Sequence, residues 1–284
     1  MPVSLHKPLL LAAFFLVLFT FSNVVSSSRE PAAEAAVTPT LSVEGEPGAL
    51  TATAYAVFEV ESGTILASAN TSTVLPIASV TKLATAAAII DSPDIEEETT
   101  ITYSDLLADG RAGKLEIGER YTYRQLLFPL LLESSNDAAA VYERVTGDGV
   151  IADMNTLAEE VGMTATKFAD ASGLSDGNVS TVGDLLQLTR HLVREYPEVL
   201  DITRLKTHMG PYSGLVNNSP VIERGYRGGK HGYTYAAGRT LVAVFAEPFE
   251  AGPVEIGYVI LGSDNLATDT ETLRAFVRDS VRFE

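Results

Sequence analysis

The sequence predicts a mixed α/β fold of the α+β type, with one antiparallel sheet of about five strands covered by helices. Strand-like segments with β-branched and aromatic residues lie only near residues 51–70 and 223–261. Helix-like segments fill the interval between them, and one more follows the last strand. Strands from both chain ends can therefore share one sheet, with a mostly helical lobe inserted between them.

The N-terminal segment indicates export. Residues 8–25 are apolar and uncharged, a length between the core of a secretory signal, about 7–15 residues, and a spanning helix of about 20. Residues 1–26 are thus predicted to be a signal peptide or an N-terminal membrane anchor. Residues 27–50, rich in Ser, Ala, Glu, Pro and Thr, are predicted to be a flexible linker. Residues 51–284 would form the folded domain.

The first elements of that domain are a hairpin and a buried helix. Residues 51–60 and 64–70 have strand character and flank a turn signal at Glu61-Ser62-Gly63. An Ala-rich apolar helix is predicted to start near Ser79 and to run to Ile90.

The rest of the domain is predicted to form several helices, then three strands and then a final helix. Helices are predicted at 123–132 with Pro129 inside, 136–145, 151–161 and, behind a Thr181 cap, to about 193. Strands are predicted at 223–233, 239–245 and 254–261, and a final helix at 267–283.

Composition excludes several kinds of function. Lys and Arg number 20 against 37 Asp and Glu, giving a formal net charge of −17, so nucleic acid is not an expected partner. The chain has no cysteine, which removes thiolate nucleophiles and cysteine-ligated metals. Its four histidines lack metal-binding spacing. We therefore predict no metal and no cofactor.

Ser79 and Lys82 are the first candidates for chemistry. Three positions apart at a helix start, they share one helical face. A serine hydroxyl needs a base to become nucleophilic, and a lysine can be that base if burial or a nearby cation lowers its pKa. Lys82 is the only charged residue between Ala78 and Ile90, which favours a functional interpretation over that of a solvated lysine.

Two further clusters follow along the chain. Ser134-Ser135-Asn136 lies between two helical segments, and Gly229-Lys230-His231-Gly232 lies on a predicted strand. Four Lys or Arg residues and no acid occur from Arg224 to Arg239. In so acidic a chain this cationic patch suits an anionic group such as a peptide carboxylate, although a basic edge strand that resists aggregation would have the same composition.

With these clusters in this order, the chain resembles the penicillin-binding serine peptidases, and more narrowly the low-molecular-mass D-alanyl-D-alanine carboxypeptidase family. The resemblance runs from about Ala54 to Gly262 and includes PIASVTKLAT around Ser79 and LLLESSNDAA around Asn136. It also includes GGKHGYTYAAGRTLV from Gly228. The stretch from Met154 to Leu174 carries no predicted catalytic group, so its agreement favours common descent over convergence.

The resemblance implies a β-lactamase/transpeptidase-like fold and a role for each residue. Ser79 would be the acylated nucleophile, Lys82 the base and Ser134 a proton shuttle to the leaving amine. Asn136 would bind the substrate backbone, and Lys230 would keep Lys82 partly neutral. The remaining substrate-binding positions would be His231, Gly232 and Tyr233, with the N–H groups of Ser79 and Tyr233 forming the oxyanion hole.

The implied activity is an extracytoplasmic serine D-Ala-D-Ala carboxypeptidase that trims peptidoglycan stem peptides and is acylated by β-lactams. It would be secreted or held at the membrane by its N-terminus, in the periplasm or at the cell surface. Two alternatives stay open: a D,D-endopeptidase that cuts cross-links, and a weakened homologue that only binds peptidoglycan. A class A β-lactamase is disfavoured because no E-x-x-L-N pattern occurs.

His231 departs from the family pattern, because it stands where the family usually has Thr or Ser. An imidazole can still donate an N–H to a carboxylate and is cationic below about pH 6.5. We therefore expect substrate binding to depend more strongly on pH than it would with a Thr or Ser hydroxyl at this position. The alternative is that His231 weakens activity or alters substrate specificity.

Overall fold

The computed structural model describes residues 41–147 and 149–283. The predicted signal or anchor at residues 1–26 lies outside this range, as do residues 27–40 of the predicted linker. Within the described residues, no helix combines the length and the apolar character that a membrane crossing requires.

The domain alternates strands and helices along the chain. The strands are β1 Leu41–Val43, β2 Ala54–Glu59, β3 Ile65–Ala69, β4 Leu75–Pro76, β5 Glu98–Thr100, β6 Arg120–Thr122, β7 Val179–Ser180, β8 Thr207–Met209, β9 Gly214–Val216, β10 Tyr226–Thr234, β11 Gly238–Phe249, β12 Gly252–Ser263 and β13 Val281–Phe283. The α-helices are α1 Lys82–Ile90, α2 Tyr123–Leu132, α3 Asn136–Thr146, α4 Gly149–Val161, α5 Val182–Glu195, α6 Pro197–Thr203 and α7 Leu266–Ser280. Short 3₁₀ helices cover Ala78–Thr81 and Ser104–Leu107.

One five-stranded sheet organises the domain, in the order β10-β11-β12-β2-β3 with every neighbouring pair antiparallel. Strands from the two ends of the described chain meet where β12 pairs with β2, as at Val259 opposite Ala56. The predicted fold class, its five-stranded sheet and its inserted helical lobe are therefore confirmed. Strand β10, which carries the cationic motif, is an edge strand: its second side pairs with no strand of the described residues and contacts α6, where the Gly229 N–H donates to Thr203 Oγ1 at 3.0 Å.

Both faces of the sheet are buried, and alternating side chains divide between two cores. On β11, Val242 and Val244 pack with the helical lobe, whereas Leu241, Ala243 and Phe245 pack on the α7 side. Burial on both faces explains why the sequences of these strands are nearly continuous apolar runs, in which apolar and polar residues do not alternate.

Two boundaries differ from the predictions. The final helix ends at Ser280, and Val281–Phe283 pairs with Leu41–Val43, inside the segment predicted as linker. A three-residue strand is too short to show an alternation of apolar and polar residues, so sequence analysis does not recognise it. Each of these two strands forms only by pairing with a partner far along the chain. The helix predicted to start near Ser79 begins as α1 only at Lys82, after a 3₁₀ turn.

Candidate active site

Ser79 lies in a tightly packed 3₁₀ turn between the sheet and the helical lobe. The preceding Ala78 has φ +48°, an uncommon value for a residue with a Cβ. Gly173 and Gly232 approach this turn closely: a Cβ at Gly173 would lie 2.1 Å from the Ala78 carbonyl oxygen, and one at Gly232 would lie 2.6 Å from the Ser79 nitrogen. The Thr240 hydroxyl also donates to the Ile77 carbonyl at 2.9 Å. The backbone of the turn is thus held from the helical lobe and from the sheet.

Lys82 is fully buried one turn further on, and its ammonium has three acceptors. Its Nζ lies 3.1 Å from Ser79 Oγ, 2.8 Å from Asn136 Oδ1 and 2.5 Å from the Ser172 carbonyl oxygen. The structure therefore brings the predicted nucleophile and its base into hydrogen-bond contact. It also adds a partner, the Ser172 carbonyl, that sequence analysis missed.

The electrostatics of the site favour a neutral Lys82. Burial and then the nearby charge of Lys230 lower the pKa of Lys82 well below 10.5, although Asp170 opposes the shift. Lys230 is itself 2% exposed, and burial lowers its pKa to about 7. Two buried amines so close together repel each other's protons, which is one of the ways that a lysine becomes a base near neutral pH.

The loop that supplies the Ser172 carbonyl is organised by Asp170. Its carboxylate accepts hydrogen bonds from the backbone N–H groups of Ser172, Gly173 and Ser175 at 2.6–2.8 Å. Burial raises the pKa of Asp170, but these bonds outweigh burial and keep it below its usual value. The signal in the sequence was the D-A-S-G turn pattern itself, in which an Asp accepts from backbone N–H groups a few residues on.

The two serines of the second motif have different environments. Ser134 adopts φ +59°, and in the described part of the chain its side chain has no hydrogen-bond partner. Ser135, in contrast, is buried: its hydroxyl caps α3 by accepting from Ala138 N–H and donates to the Ala112 carbonyl at 2.6 Å. The Ser134 hydroxyl is therefore unpaired within the described residues, whereas the Ser135 hydroxyl stabilises the local structure.

The Asn136 side chain makes more hydrogen bonds within the protein than its predicted role in substrate binding requires. Its Oδ1 accepts from Lys82, and its Nδ2 donates to the carbonyl oxygens of Asp109 at 2.6 Å and Gly110 at 3.4 Å. With the side chain 8% exposed, contact with a substrate backbone would have to replace one of these bonds. In this structure Asn136 joins Lys82 to the loop at residues 109–110.

The third motif lies on β10, next to the nucleophile. Lys230 and Gly232 pair with Val242 and Thr240, whose side chains point to the helical lobe and to the Ser79 turn. The Lys230 ammonium donates to the His231 carbonyl at 2.8 Å. Tyr233 is 62% exposed, and the Arg239 guanidinium lies 5.4 Å from its ring centroid.

His231 does not behave as its solution pKa suggested. The ring is largely buried, and its Nδ1 has no hydrogen-bond partner in the described residues. Burial, followed by the charges of Lys230 and Lys82, lowers the pKa of His231 to about 3. The imidazole is therefore neutral above about pH 4, and the expectation that a cationic His231 makes substrate binding more pH dependent is corrected. Burial disfavours the charged imidazolium, and any positive charge on the two nearby lysines disfavours it further.

This correction leads to a prediction for His231→Thr. Because His231 does not titrate between pH 5 and 8, the acidic limb of kcat/KM should keep its midpoint in the variant. One neutral hydrogen-bonding group replaces another, so kcat/KM itself should change by at most about tenfold. Peptide hydrolysis measured from pH 4.5 to 8 checks this. A wild-type midpoint near pH 6.5 that disappears in the variant would contradict it.

The assembled groups suit acyl transfer. A hydroxyl lies against a buried amine that is neutral in part, and the Ser79 N–H lies at the first turn of a helix, where it has no intrahelical acceptor. Within residues 41–147 and 149–283, no cluster of acids and histidines could hold a metal ion.

Comparison with known proteins identifies relatives. A family model described as D-alanyl-D-alanine carboxypeptidase matches residues 40–263. The D-alanyl-D-alanine carboxypeptidase DacB2 of Mycobacterium tuberculosis is 34% identical over 204 residues, which cover 68% of this chain and 69% of that protein. A D-alanyl-D-alanine endopeptidase of Pseudomonas aeruginosa is 37% identical over 142 residues, but these cover only 48% of this chain and 45% of that protein.

A solved structure agrees with the fold. Penicillin-binding protein D2 of Listeria monocytogenes, in its cefotaxime-bound form, has a TM-score of 0.72 and 27% identity. The match covers 82% of this chain and 98% of that one. The match thus includes nearly all of the Listeria chain, so the two proteins share its fold.

Proposed function

Since the chain belongs to the D-alanyl-D-alanine carboxypeptidase family of serine peptidases, we propose that it removes the terminal D-alanine from peptidoglycan stem peptides through an acyl-enzyme on Ser79. The distance of 3.1 Å between Lys82 Nζ and Ser79 Oγ carries this proposal. A buried amine with a lowered pKa is the group that can take the hydroxyl proton.

Acylation would proceed from the groups in contact. Neutral Lys82 takes the proton as Ser79 Oγ attacks the carbonyl carbon of the penultimate D-alanine. The N–H groups of Ser79 and Tyr233 stabilise the negative oxygen that forms. The proton passes through the Ser134 hydroxyl to the leaving amine of the terminal D-alanine. Water then attacks the ester, and Ser79 recovers its proton.

The charge of the site favours a substrate that ends in a carboxylate. Lys230 lies beside the nucleophile turn on edge strand β10, and no acid occurs between Arg224 and Arg239. A C-terminal carboxylate near Lys230 would stabilise the cationic form of that lysine and complete an ion pair in a poorly hydrated site. β-Lactams, which also carry a carboxylate, would acylate the same hydroxyl.

A test of this preference uses two pentapeptides that end in D-Ala-D-Ala, one with a free carboxylate and one with a C-terminal amide. Release of D-alanine or its amide is followed by mass spectrometry. We expect the amide to react about 10- to 100-fold more slowly, the loss of one charge-assisted contact. Equal rates would exclude terminal carboxylate recognition.

The endopeptidase alternative is kept because the Pseudomonas relative of that name is 37% identical over its matched region. Cross-linked muropeptide dimers distinguish the two activities: preferential cleavage of the dimer over the pentapeptide would assign the endopeptidase. Folded protein that neither hydrolyses peptides nor is acylated by a penicillin would instead assign a binding role. Either substrate lies outside the cytoplasm, so we propose an enzyme on the periplasmic or cell-surface side, with residues 1–26 as its export signal or anchor.

A further inference from the structure

Glu133, the residue before Ser134, holds three separate segments together. Its Oε2 accepts from the Gly113 N–H at 3.1 Å and its Oε1 from the Val216 N–H at 3.0 Å. The Lys114 ammonium lies 3.2 Å from Oε1. Only 13% of the Glu133 side chain is exposed. One carboxylate therefore ties the loop at residues 109–114 and the β8–β9 hairpin to the end of α2.

The backbone around Glu133 is fixed as well. The Glu133 carbonyl accepts from Asn218 Nδ2 at 3.1 Å, and the neighbouring Leu132 carbonyl accepts from the Asn218 N–H at 3.0 Å. On the other side of Ser134, the Ser135 N–H donates to the Pro129 carbonyl at 3.0 Å. These bonds hold the flanks of Ser134, whose own φ of +59° is unfavourable for a residue with a side chain.

The loop at residues 109–114 is packed directly onto this turn. A Cβ at Gly113 would lie 2.7 Å from Ser135 Oγ, and Gly113 itself has φ +92°. Arg111 lies 3.5 Å from the carboxylate of Asp137, the residue after Asn136. The side chains on either side of Ser134 thus contact the loop, whereas the Ser134 hydroxyl has no hydrogen-bond partner among the described residues.

We propose that Glu133 is a positioning residue, which fixes the Ser134 hydroxyl for proton transfer by clamping the loop at residues 109–114 and the β8–β9 hairpin to the Ser134 turn. This inference rests on the proposed acyl-enzyme function. Glu133 touches neither Ser79 nor Lys82: the three partners of Lys82 are Ser79, Asn136 and Ser172. Glu133 acts on the rate of acylation through geometry and leaves the titration of the base unchanged.

The chemistry of the clamp requires a carboxylate. Each oxygen of Glu133 accepts from a different backbone N–H, on Gly113 and on Val216. A glutamine presents one oxygen and one NH₂ group, so one backbone N–H would face another donor and lose its bond. Glu133→Gln is therefore a nearly isosteric change that opens one side of the clamp.

The test is single-turnover acylation of wild type and Glu133→Gln by a fluorescent penicillin, with both the labelled fraction and the rate recorded from pH 6 to 10. We expect Glu133→Gln to be fully labelled, but at a rate about 10- to 100-fold lower, since misplacement by about 1 Å can cost about 10²-fold. The acidic limb of its acylation rate should keep the midpoint pH of the wild type. Glu119→Gln is the matched control, because Glu119 also clamps a loop, accepting from Glu116 N–H and Tyr121 OH at 3.0 Å, without contacting the Ser134 turn. It should acylate at the wild-type rate.

The outcomes separate this inference from the proposed function. Glu133→Gln that acylates as fast as wild type would overturn the positioning role. So would a reduced labelled fraction at an unchanged rate, which reports misfolding alone, or an acidic limb that moves. Absence of any adduct in the wild type would instead overturn the acyl-enzyme function itself.

Discussion

Replacing Ser79 with alanine is expected to abolish both peptide hydrolysis and covalent labelling by a penicillin. Within the described residues, the Ser79 hydroxyl is the only hydroxyl in hydrogen-bond contact with Lys82 Nζ, at 3.1 Å, and the other two partners of Lys82 are an amide oxygen and a carbonyl oxygen. Loss of a nucleophile that works as a unit with its base typically costs about 10⁶-fold in kcat. Intact-mass spectrometry after incubation with the penicillin measures the adduct, and digestion locates it.

The controls for this substitution use two other serines. Ser62→Ala, on the exposed β2–β3 hairpin, should label at the wild-type rate. Ser134→Ala should still form the adduct on Ser79, but about 10²- to 10⁴-fold more slowly, as for loss of a proton-transfer group. An adduct that persists in Ser79→Ala would place the nucleophile elsewhere and remove the basis for the mechanism.

Replacing Lys82 with methionine is expected to lower the acylation rate by about 10²- to 10⁴-fold, the usual contribution of a general base. Methionine has a similar length and suits the fully buried position of Lys82, so the change removes the amine with little change in volume. The rate of penicillin acylation, measured on protein shown to be folded, checks the result. Lys167→Met, at an exposed position, is the control and should react normally.

The pH profile gives the Lys82 prediction a second readout. Lys82 can accept the Ser79 proton only when it is neutral, so the acylation rate of the wild type should rise with pH through the pKa of Lys82. An unperturbed lysine would be neutral in only about 0.04% of molecules at pH 7, and each unit by which burial and Lys230 lower that pKa raises the fraction about tenfold. In Lys82→Met this limb should vanish. A limb that persists would assign the base to another group.

Much of the architecture could be predicted because it follows local pattern. Strands β2, β10, β11 and β12 and helices α2 to α5 are long enough for periodicity and caps to mark them, and Thr181 caps α5 as expected by accepting from the Asp184 N–H at 3.0 Å. The pairing of Leu41–Val43 with Val281–Phe283 was not predictable. Each of those segments has three residues, and their partnership spans the domain.

The sequence by itself determined which residue types are available for chemistry: a serine three positions before a lone lysine in an apolar segment, a second pair of serines and a cationic strand. Only the tertiary structure decided their electrostatic state, because the pKa of a group depends on its burial and on charges that are close in space. It placed Lys230 near Lys82, and it made His231 a neutral ring. It also placed the Ser172 carbonyl against Lys82 and the Glu133 carboxylate against the Val216 N–H; each contact involves a backbone atom, which the pattern of side chains does not predict.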